Sequence, residues 1–193
     1  MFKRIDNNID FAENENKISD YWNEINAFEK SLDIRKDSKI FRFYDGPPFP
    51  TGSPHYGNLL AGVIKDIVPR YWTMRGFFVE RRFGWDVHGL PIEMEVQKEL
   101  GLEDPQDIDD YGIDKFNEAC RSQVQTNTEN WEKITRKIGR WVDFENDYKT
   151  MDVGFMESVW WVFKELYDKG LIYKDYKVLP YSWAAATPLS NFE

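Results

Sequence analysis

The chain contains little cysteine and no long apolar run. Of its 193 residues only Cys120 carries a thiol, which excludes a disulfide framework and a zinc site built on cysteines. No stretch approaches the roughly eighteen apolar residues of a membrane span, and residues 1–20 lack the apolar core of a secretory signal. We therefore expect no membrane association, a cytoplasmic location, and Cys120 packed in the core.

The glycine-rich phosphate-binding signatures are missing as well, since neither GxxxxGKS/T nor GxGxxG occurs. The net charge of −9 argues against nonspecific coating of nucleic acid as the main activity. Aromatic residues, by contrast, make up 17% of the chain and hydrophobic residues 41%, which is more than a disordered chain carries. The composition therefore predicts a folded globular protein.

Hydrophobic spacing and turn residues predict alternating helices and strands. The order is a leading amphipathic helix (9–32), a strand (40–46), a helix (54 to about 75) and a second strand (77–86). Ser53 is the expected N-cap of the middle helix, and Pro54 its first residue. Strand, helix and strand within about fifty residues are typical of a βαβ unit with a parallel sheet.

Further helices are predicted over 91–101, 114–140 and 154–169, followed by strand-like residues 170–182. Pro69 lies inside the middle helix, where it removes a backbone donor and is expected to introduce a kink. We keep the helix in spite of it. The predicted fold class is α/β.

The candidate chemistry lies where the first strand leads into the middle helix. His55 and Asn58 are three residues apart on the opening turn, which sends both side chains to the same side of the helix. The unpaired N–H groups of a helix N-terminus favour a phosphate, and Gly57 allows a flat base to approach the backbone. These residues indicate a nucleotide site. Taken alone, however, the four residues HYGN favour a capped helix start with a surface histidine over a nucleotide site.

The segment PHYGNLLAG (54–62) resembles the His-x-Gly-His signature of class I aminoacyl-tRNA synthetases, with Asn58 in the final histidine position. The flanking segments YDGPPFPTG (44–52) and YWTMRGFFVERRFGWDVHGLPIE (71–93) resemble those of the isoleucine enzymes. GWDVHGLPIE favours them over the leucine and valine enzymes. The resemblance implies the first half of a Rossmann-like, parallel-sheet nucleotide-binding domain with a leading helix and additional helices.

The resemblance also implies a domain organisation. Residues 1–38 would form a helical extension, and 39–193 the first half of the catalytic domain, ending where the editing-domain insertion begins. The lysine-rich second signature of the family, Lys-Met-Ser-Lys-Ser, does not occur, so we expect a partial enzyme. Residues 183–186 depart from the family pattern, and no role is assigned to them.

Residue roles follow from the same resemblance. Gly52, Pro54, His55, Gly57 and Asn58 would bind ATP, with His55 and Asn58 as the catalytic phosphate donors. Asp86 and the carbonyl groups of Gly46 and Pro47 would bind the ammonium group of isoleucine. His88 is a poorer catalytic candidate. Mg²⁺ would be carried by the ATP phosphates, with no metal bound by the chain itself. The implied partners are isoleucine, ATP and tRNA(Ile), and we expect a monomer.

Alternatives remain at several residues. Asp86 could instead cap the helix that follows it. Trp85 and Phe49 could line a side-chain pocket, although tryptophan is more often core. Of Arg81 and Arg82, which point to opposite faces of a strand, one could be buried against a carboxylate.

Other functions are open too. The basic residues Lys133, Arg136, Lys137 and Arg140 could share one helical face that contacts tRNA, although such a face is usually only solvated. The chain could then be an RNA-docking fragment. It could also be a catalytically incomplete module that binds ATP or an adenylate, or a sibling nucleotidyl-transfer enzyme of class I.

Overall fold

A computed structural model describes residues 9–189. The helices are α1 (Phe11–Glu24), α2 (Ala27–Asp33), α3 (Tyr56–Met74), α4 (Leu90–Leu100), α5 (Pro105–Tyr111), α6 (Ile113–Lys137) and α7 (Val153–Asp168). The strands are β1 (Arg82–Trp85), β2 (Asp143–Lys149), β3 (Tyr181–Ser182) and β4 (Thr187–Pro188). The chain divides into two compact units, Met1–Phe155 and Met156–Glu193. Within the described residues, no helix is long and apolar enough to cross a membrane.

A short parallel sheet is the centre of the first unit. β1 pairs with β2 in parallel, with Gly84 opposite Tyr148 and Trp85 opposite Lys149. Helices α4, α5 and α6 form the crossover between these strands, as a parallel connection requires. The α/β fold class is confirmed. In the second unit, β3 and β4 form a two-residue antiparallel ladder.

The prediction of a strand over residues 40–46 is wrong. The segment does run parallel to its neighbour, as predicted, at a single bridge. Only Ile40 forms a parallel bridge, to Phe78, supported by a hydrogen bond from the Phe41 N–H to the Phe78 carbonyl. Beyond this bridge the segment leaves the ladder, because Asp45 turns inward to two cations and the two prolines that follow have no N–H to donate. The second predicted strand, 77–86, is also shorter than expected, since only Arg82–Trp85 (β1) form a strand.

Other element predictions need correction as well. Of the strand-like residues 170–182, only Tyr181–Ser182 form a strand, β3. The leading helix is two helices, α1 and α2, separated at Asn26, whose φ of 49° is left-handed and ends a regular helix. β2 lies where no strand was predicted, because its sequence DFENDYK is rich in residues that are depleted in strands. The middle helix is confirmed: α3 continues through Pro69.

The core lies between the sheet and helices α4 and α6. Its buried members are Phe83, Trp85, Val87, Ile92, Val96, Phe116, Val124, Trp131, Val142 and Phe144. Trp85 is 1% exposed and donates its indole N–H to Asp147 Oδ2 over 2.7 Å, so it is a core residue and not a pocket wall. Phe49 and Cys120 pack against the same cluster, and burial raises the pKa of the Cys120 thiol.

Arg81 is buried, as one of the two arginines was expected to be, but it is not paired with a carboxylate. Its guanidinium donates to the Thr73 hydroxyl over 2.5 Å and lies 5.6 Å from the Phe28 ring centroid. In the part of the chain that the structure describes, its Nε and Nη1 atoms have no hydrogen-bond partner. Burial lowers the pKa of Arg81 to about 10.

The ring of Tyr148 lies where a side chain at position 84 would be. A Cβ atom there would lie 2.2 Å from Cζ of Tyr148, well inside contact distance. Gly84→Ala should therefore displace the Tyr148 ring and lower the free energy of unfolding by about 1–3 kcal/mol. Urea denaturation followed by tryptophan fluorescence measures this. Gly154→Ala is the matched control, because a Cβ atom at 154 meets nothing within 4 Å. Equal stability of the two variants would contradict the close approach.

Candidate functional site

The N-terminus of α3 is capped by His55, not by Ser53 as predicted. The His55 backbone is extended, and its imidazole Nδ1 accepts the Gly57 N–H over 3.1 Å. In return, Asn58 Oδ1 accepts the His55 N–H over 3.0 Å. Ser53 has a different partner: its hydroxyl oxygen accepts from the Asn130 side-chain amide over 3.1 Å. Pro54 consequently lies just outside the helix.

This reciprocal cap fixes which atoms remain for a ligand. His55 and Asn58 do lie together on the opening turn, but each uses one acceptor atom on the backbone. With Nδ1 accepting, a neutral His55 carries its proton on Nε2, so that N–H is free to donate outward. Asn58 accepts through Oδ1, so its NH₂ group is likewise available to donate to a ligand. The opening turn is therefore a capped helix start. The cap leaves the Nε2–H of His55 and the NH₂ group of Asn58 as two neighbouring donors.

Gly57 is the residue that makes room for the cap. A Cβ atom at this position would lie 2.9 Å from Cε1 and 3.1 Å from Nδ1 of His55. A side chain at position 57 would therefore force the imidazole of His55 to shift. Gly57 therefore allows the imidazole to cap the helix, in addition to any role in contacting a nucleotide base.

Capping and ligand binding by His55 can be separated by substitution. His55→Asn should retain nearly all of the stability, because asparagine is among the best N-cap residues, while His55→Ala should lose about 1 kcal/mol. Both variants remove the imidazole donor. Thermal unfolding gives the comparison. If His55→Asn were as destabilising as His55→Ala, the cap seen here would not contribute to folding.

The loop before α3 is held against α6. The indole N–H of Trp131 donates to the Gly52 carbonyl over 2.9 Å, and Trp131 itself is 5% exposed. Gly52 has a φ of +59°, a conformation that glycine adopts without strain. The loop is therefore pinned to the core at the residue that reverses its direction.

Asp86 follows β1 and is tied to the same loop. Its N–H donates to the Pro48 carbonyl over 3.0 Å, and its Oδ1 lies 3.5 Å from the Thr150 hydroxyl. Thr150 also accepts the Val87 N–H over 3.0 Å and lies 2.8 Å from Nδ1 of His88. The alternative in which Asp86 caps α4 is wrong, because the N-cap of α4 is Gly89.

Asp45 forms the most buried charge cluster near the loop. Its side chain is 1% exposed; Oδ1 lies 2.7 Å from Nζ of Lys65, and Oδ2 accepts from the Arg140 guanidinium. Lys65 Nζ also donates to the Gly46 carbonyl over 2.7 Å. Gly46, a predicted ammonium acceptor, thus already accepts from a cation. Across residues 9–189, the Pro47 carbonyl has no hydrogen-bond partner.

A cavity of about 200 Å³ lies between the loop, α3 and α6. Its lining brings together four predicted residues, Gly46, Pro47, Pro54 and Asn58. His55, Gly52, Gly57 and Asp86 are not part of this lining. Lys65 and Arg140 also line the cavity, and sequence reasoning did not place them there. A signal existed for Lys65, which with Asp66 interrupts an otherwise apolar stretch of α3.

The expected basic stripe does not form one face. Arg140 lies beyond the end of α6, 6% of its side chain is exposed, and it is committed to Asp45. Arg136 pairs with Glu132 over 2.7 Å, and Lys137 donates to Asn16. Lys133 alone is an exposed member without such a contact in the described part of the chain.

Tyr148 of β2 bonds the backbone of Asp45 and lies within the electrostatic influence of Asp45 and Asp86. Its hydroxyl donates to the Asp45 carbonyl over 3.3 Å. Burial first, and then the negative charges of Asp45 and Asp86, raises the pKa of Tyr148 above its ordinary value. The phenol is therefore neutral throughout the physiological range.

The raised pKa of Tyr148 predicts a loss of stability in alkali. The folded chain holds the phenol proton more tightly than the unfolded chain does. The resulting stabilisation of the folded state is complete at pH values below the pKa of the unfolded chain, which is about 10. It is lost as the pH rises from that value through the higher pKa of the folded chain. Tyr148→Phe should flatten that part of the stability curve. Urea denaturation at a series of pH values measures it, with the exposed Tyr176→Phe as control. Identical alkaline slopes for both variants would contradict the shift.

These features define a class of protein: a parallel α/β unit in which a chain-reversing loop, a capped helix N-terminus and the end of the next strand meet. Residues 17–193 match the family model described as tRNA synthetases class I (I, L, M and V). The chain belongs to this family. The family resemblance and the fold class predicted from sequence are thereby confirmed.

The similar proteins include isoleucine–tRNA ligases. The enzyme of Treponema denticola is 53% identical over 193 residues, which are 100% of this chain and 18% of that enzyme. The cytoplasmic enzyme of Saccharomyces cerevisiae is 55% identical over 183 residues, 95% of this chain and 17% of its own length. The chain thus spans less than one fifth of the length of these relatives.

The fold is also that of a solved synthetase. LeuRS of Agrobacterium radiobacter K84, in a ternary complex with tRNA and LeuAMS, superposes with a TM-score of 0.63 at 21% identity. The match covers 92% of this chain and 20% of that one. At this identity the likeness concerns the fold, which is consistent with half of a Rossmann-like domain.

Proposed function

We propose that this chain is the N-terminal part of an isoleucine–tRNA ligase, which activates isoleucine with ATP and transfers it to tRNA(Ile). The observation that carries the proposal is the 53–56% identity, over nearly the whole chain, to ligases for this one amino acid. Residues 39–193 would form the first half of the catalytic domain, and 1–38 a helical extension. The complete protein would act in the cytoplasm as a monomer.

The first step requires positioning more than proton transfer. The isoleucine carboxylate is ionised near pH 7, so one of its oxygens can attack the α-phosphorus of ATP without a general base. An oxygen–phosphorus bond forms to give isoleucyl-adenylate, and the bond to the leaving pyrophosphate breaks. The protein has to align the two reactants and stabilise the developing negative charge on the phosphates.

The donors at the start of α3 suit that charge. The Nε2–H of His55 and the NH₂ group of Asn58, which the reciprocal cap leaves free, would donate to phosphate oxygens. Gly57 would lie beneath the adenine, with Gly52 and Pro54 forming the adjoining loop wall. Mg²⁺ would arrive on the ATP phosphates and supply further charge neutralisation.

The amino-acid ammonium would bind between β1 and the preceding loop. Asp86 supplies a carboxylate at the carboxyl end of a parallel strand, where such sheets bind ligands. The Pro47 carbonyl would be the second acceptor, and the Gly46 carbonyl a third one that it shares with Lys65. An ammonium group has three N–H donors, so this set of acceptors matches its needs.

The second candidate is an adenylate-binding module without turnover. The chain spans 18% or less of the length of its relatives and does not contain the lysine-rich second signature. Binding would then occur without formation of pyrophosphate. An RNA-docking role has less support, because three of the four cations proposed for it have intramolecular partners.

Titration with a nonhydrolysable isoleucyl-adenylate analogue tests the proposal. The chain should bind it about 10–100-fold more tightly than the valyl analogue, the range that one methylene contributes. Asp86→Asn should lower the affinity for the isoleucyl analogue at least tenfold, because the ammonium loses its charged partner. Isothermal calorimetry measures both effects.

The control for this experiment is Asp109→Asn, which removes the same charge from an exposed position on α5. Equal affinity for the valyl and isoleucyl analogues would refute the isoleucine assignment. Unchanged binding by Asp86→Asn would place the ammonium elsewhere. Pyrophosphate exchange by the chain would exclude the module without turnover.

A further inference from the structure

Three backbone carbonyls follow one another in the loop between Asp45 and Phe49, and they differ in their partners. The Gly46 carbonyl accepts from Lys65 Nζ over 2.7 Å, and the Pro48 carbonyl accepts from the Asp86 N–H over 3.0 Å. The Pro47 carbonyl between them has no partner among residues 9–189. The one open acceptor is therefore flanked by two anchored ones.

The anchor at Gly46 is itself held by a buried charge. Lys65 Nζ lies 2.7 Å from Asp45 Oδ1, close enough for ionic attraction but without hydrogen-bond alignment. Its aligned hydrogen bond goes instead to the Gly46 carbonyl. Asp45 is 1% exposed on its side chain and cannot shift toward solvent without losing Arg140 as well. The position of the lysine ammonium is thus set from the interior.

The loop has little freedom of its own to oppose this anchor. Pro47 and Pro48 each have φ fixed by the ring, and ψ of Pro47 is restricted to extended values because a proline follows it. The direction of the Pro47 carbonyl therefore follows from where Gly46 and Pro48 are held. Pro48 is tied to Asp86, the proposed carboxylate for the ammonium. The distance between the Pro47 carbonyl and the Asp86 carboxylate therefore depends on the Lys65 contact.

We propose that Lys65 is a positioning residue of the amino-acid site: its ammonium, anchored on Asp45, holds the Gly46 carbonyl and so aims the Pro47 carbonyl at the substrate ammonium. This rests on the proposed function, because it concerns the same amino-acid site. Lys65 does not touch the ammonium itself, since two cations repel. Its effect is on isoleucine and the adenylate, and not on ATP.

The first test needs no ligand. Lys65→Met removes the charge and retains an unbranched stem, while Asp45 keeps Arg140 as its counter-ion, so the chain should fold. The loop should then loosen, and hydrogen exchange at the Asp86 N–H, measured by NMR, should accelerate at least tenfold. The neighbouring Val87 N–H, which donates to Thr150, should be unaffected. Lys65→Arg, which can make both contacts, should restore protection.

The outcomes of this exchange experiment are distinct. Equal acceleration at Asp86 and Val87 would show a general loss of stability and would overturn the positioning role, as would unchanged exchange at both. Should Lys65→Met unfold, Lys65→Leu gives the same comparison, because it also lacks the donor to the Gly46 carbonyl. Lys17→Met is the matched control, as its partner Glu13 is exposed on α1.

The second test uses ligands. Lys65→Met should weaken binding of the isoleucyl-adenylate analogue about tenfold or more, leave binding of ATP within twofold, and be rescued by Lys65→Arg. Equal losses for both ligands would overturn the role. A wild-type chain that binds neither ligand would show that this part of the protein does not form the ligand site on its own, and the exchange experiment would still decide the role of Lys65.

Discussion

The arrangement of the site depends on one buried carboxylate. Asp45 lies in the loop that follows the parallel bridge of Ile40, and it pairs with Lys65 from α3 and with Arg140 from the turn after α6. Its own carbonyl accepts from Tyr148 of β2. A carboxylate this deeply buried needs such partners, because burial disfavours its charged form unless opposite charges compensate. Four separate parts of the first unit are thereby held at one point.

A second constraint lies at the start of α3, where the candidate ligand-binding groups also serve the fold. His55 and Asn58 satisfy backbone donors of the first turn by accepting from Gly57 and from His55 itself. The same contacts orient the remaining N–H groups outward. A ligand therefore meets donors whose directions are already fixed, which lowers the entropy lost on binding. Glycine at position 57 leaves room for this cap, because a Cβ atom there would lie 2.9 Å from Cε1 of His55.

Much of this could be predicted from sequence where the signal is local. Apolar spacing placed α3, α4, α6 and α7 close to their observed bounds, and the PHYGN segment indicated a helix start with functional side chains. The strand β2 was missed because DFENDYK carries the wrong residue types for an isolated strand. It forms because β1 offers it a parallel partner, a contact between residues about sixty positions apart.

The sequence by itself determined the α/β class, the order of the main helices, and the segment in which the candidate site residues occur. These features follow from periodicity and turn chemistry, which act over a few residues. Only the tertiary structure decided that His55 and not Ser53 caps α3, that Arg140 leaves the basic stripe for Asp45, and that Lys65 reaches the Gly46 carbonyl. Those outcomes depend on competition among partners distant in the chain, and a buried charge takes the partner that the fold brings within reach.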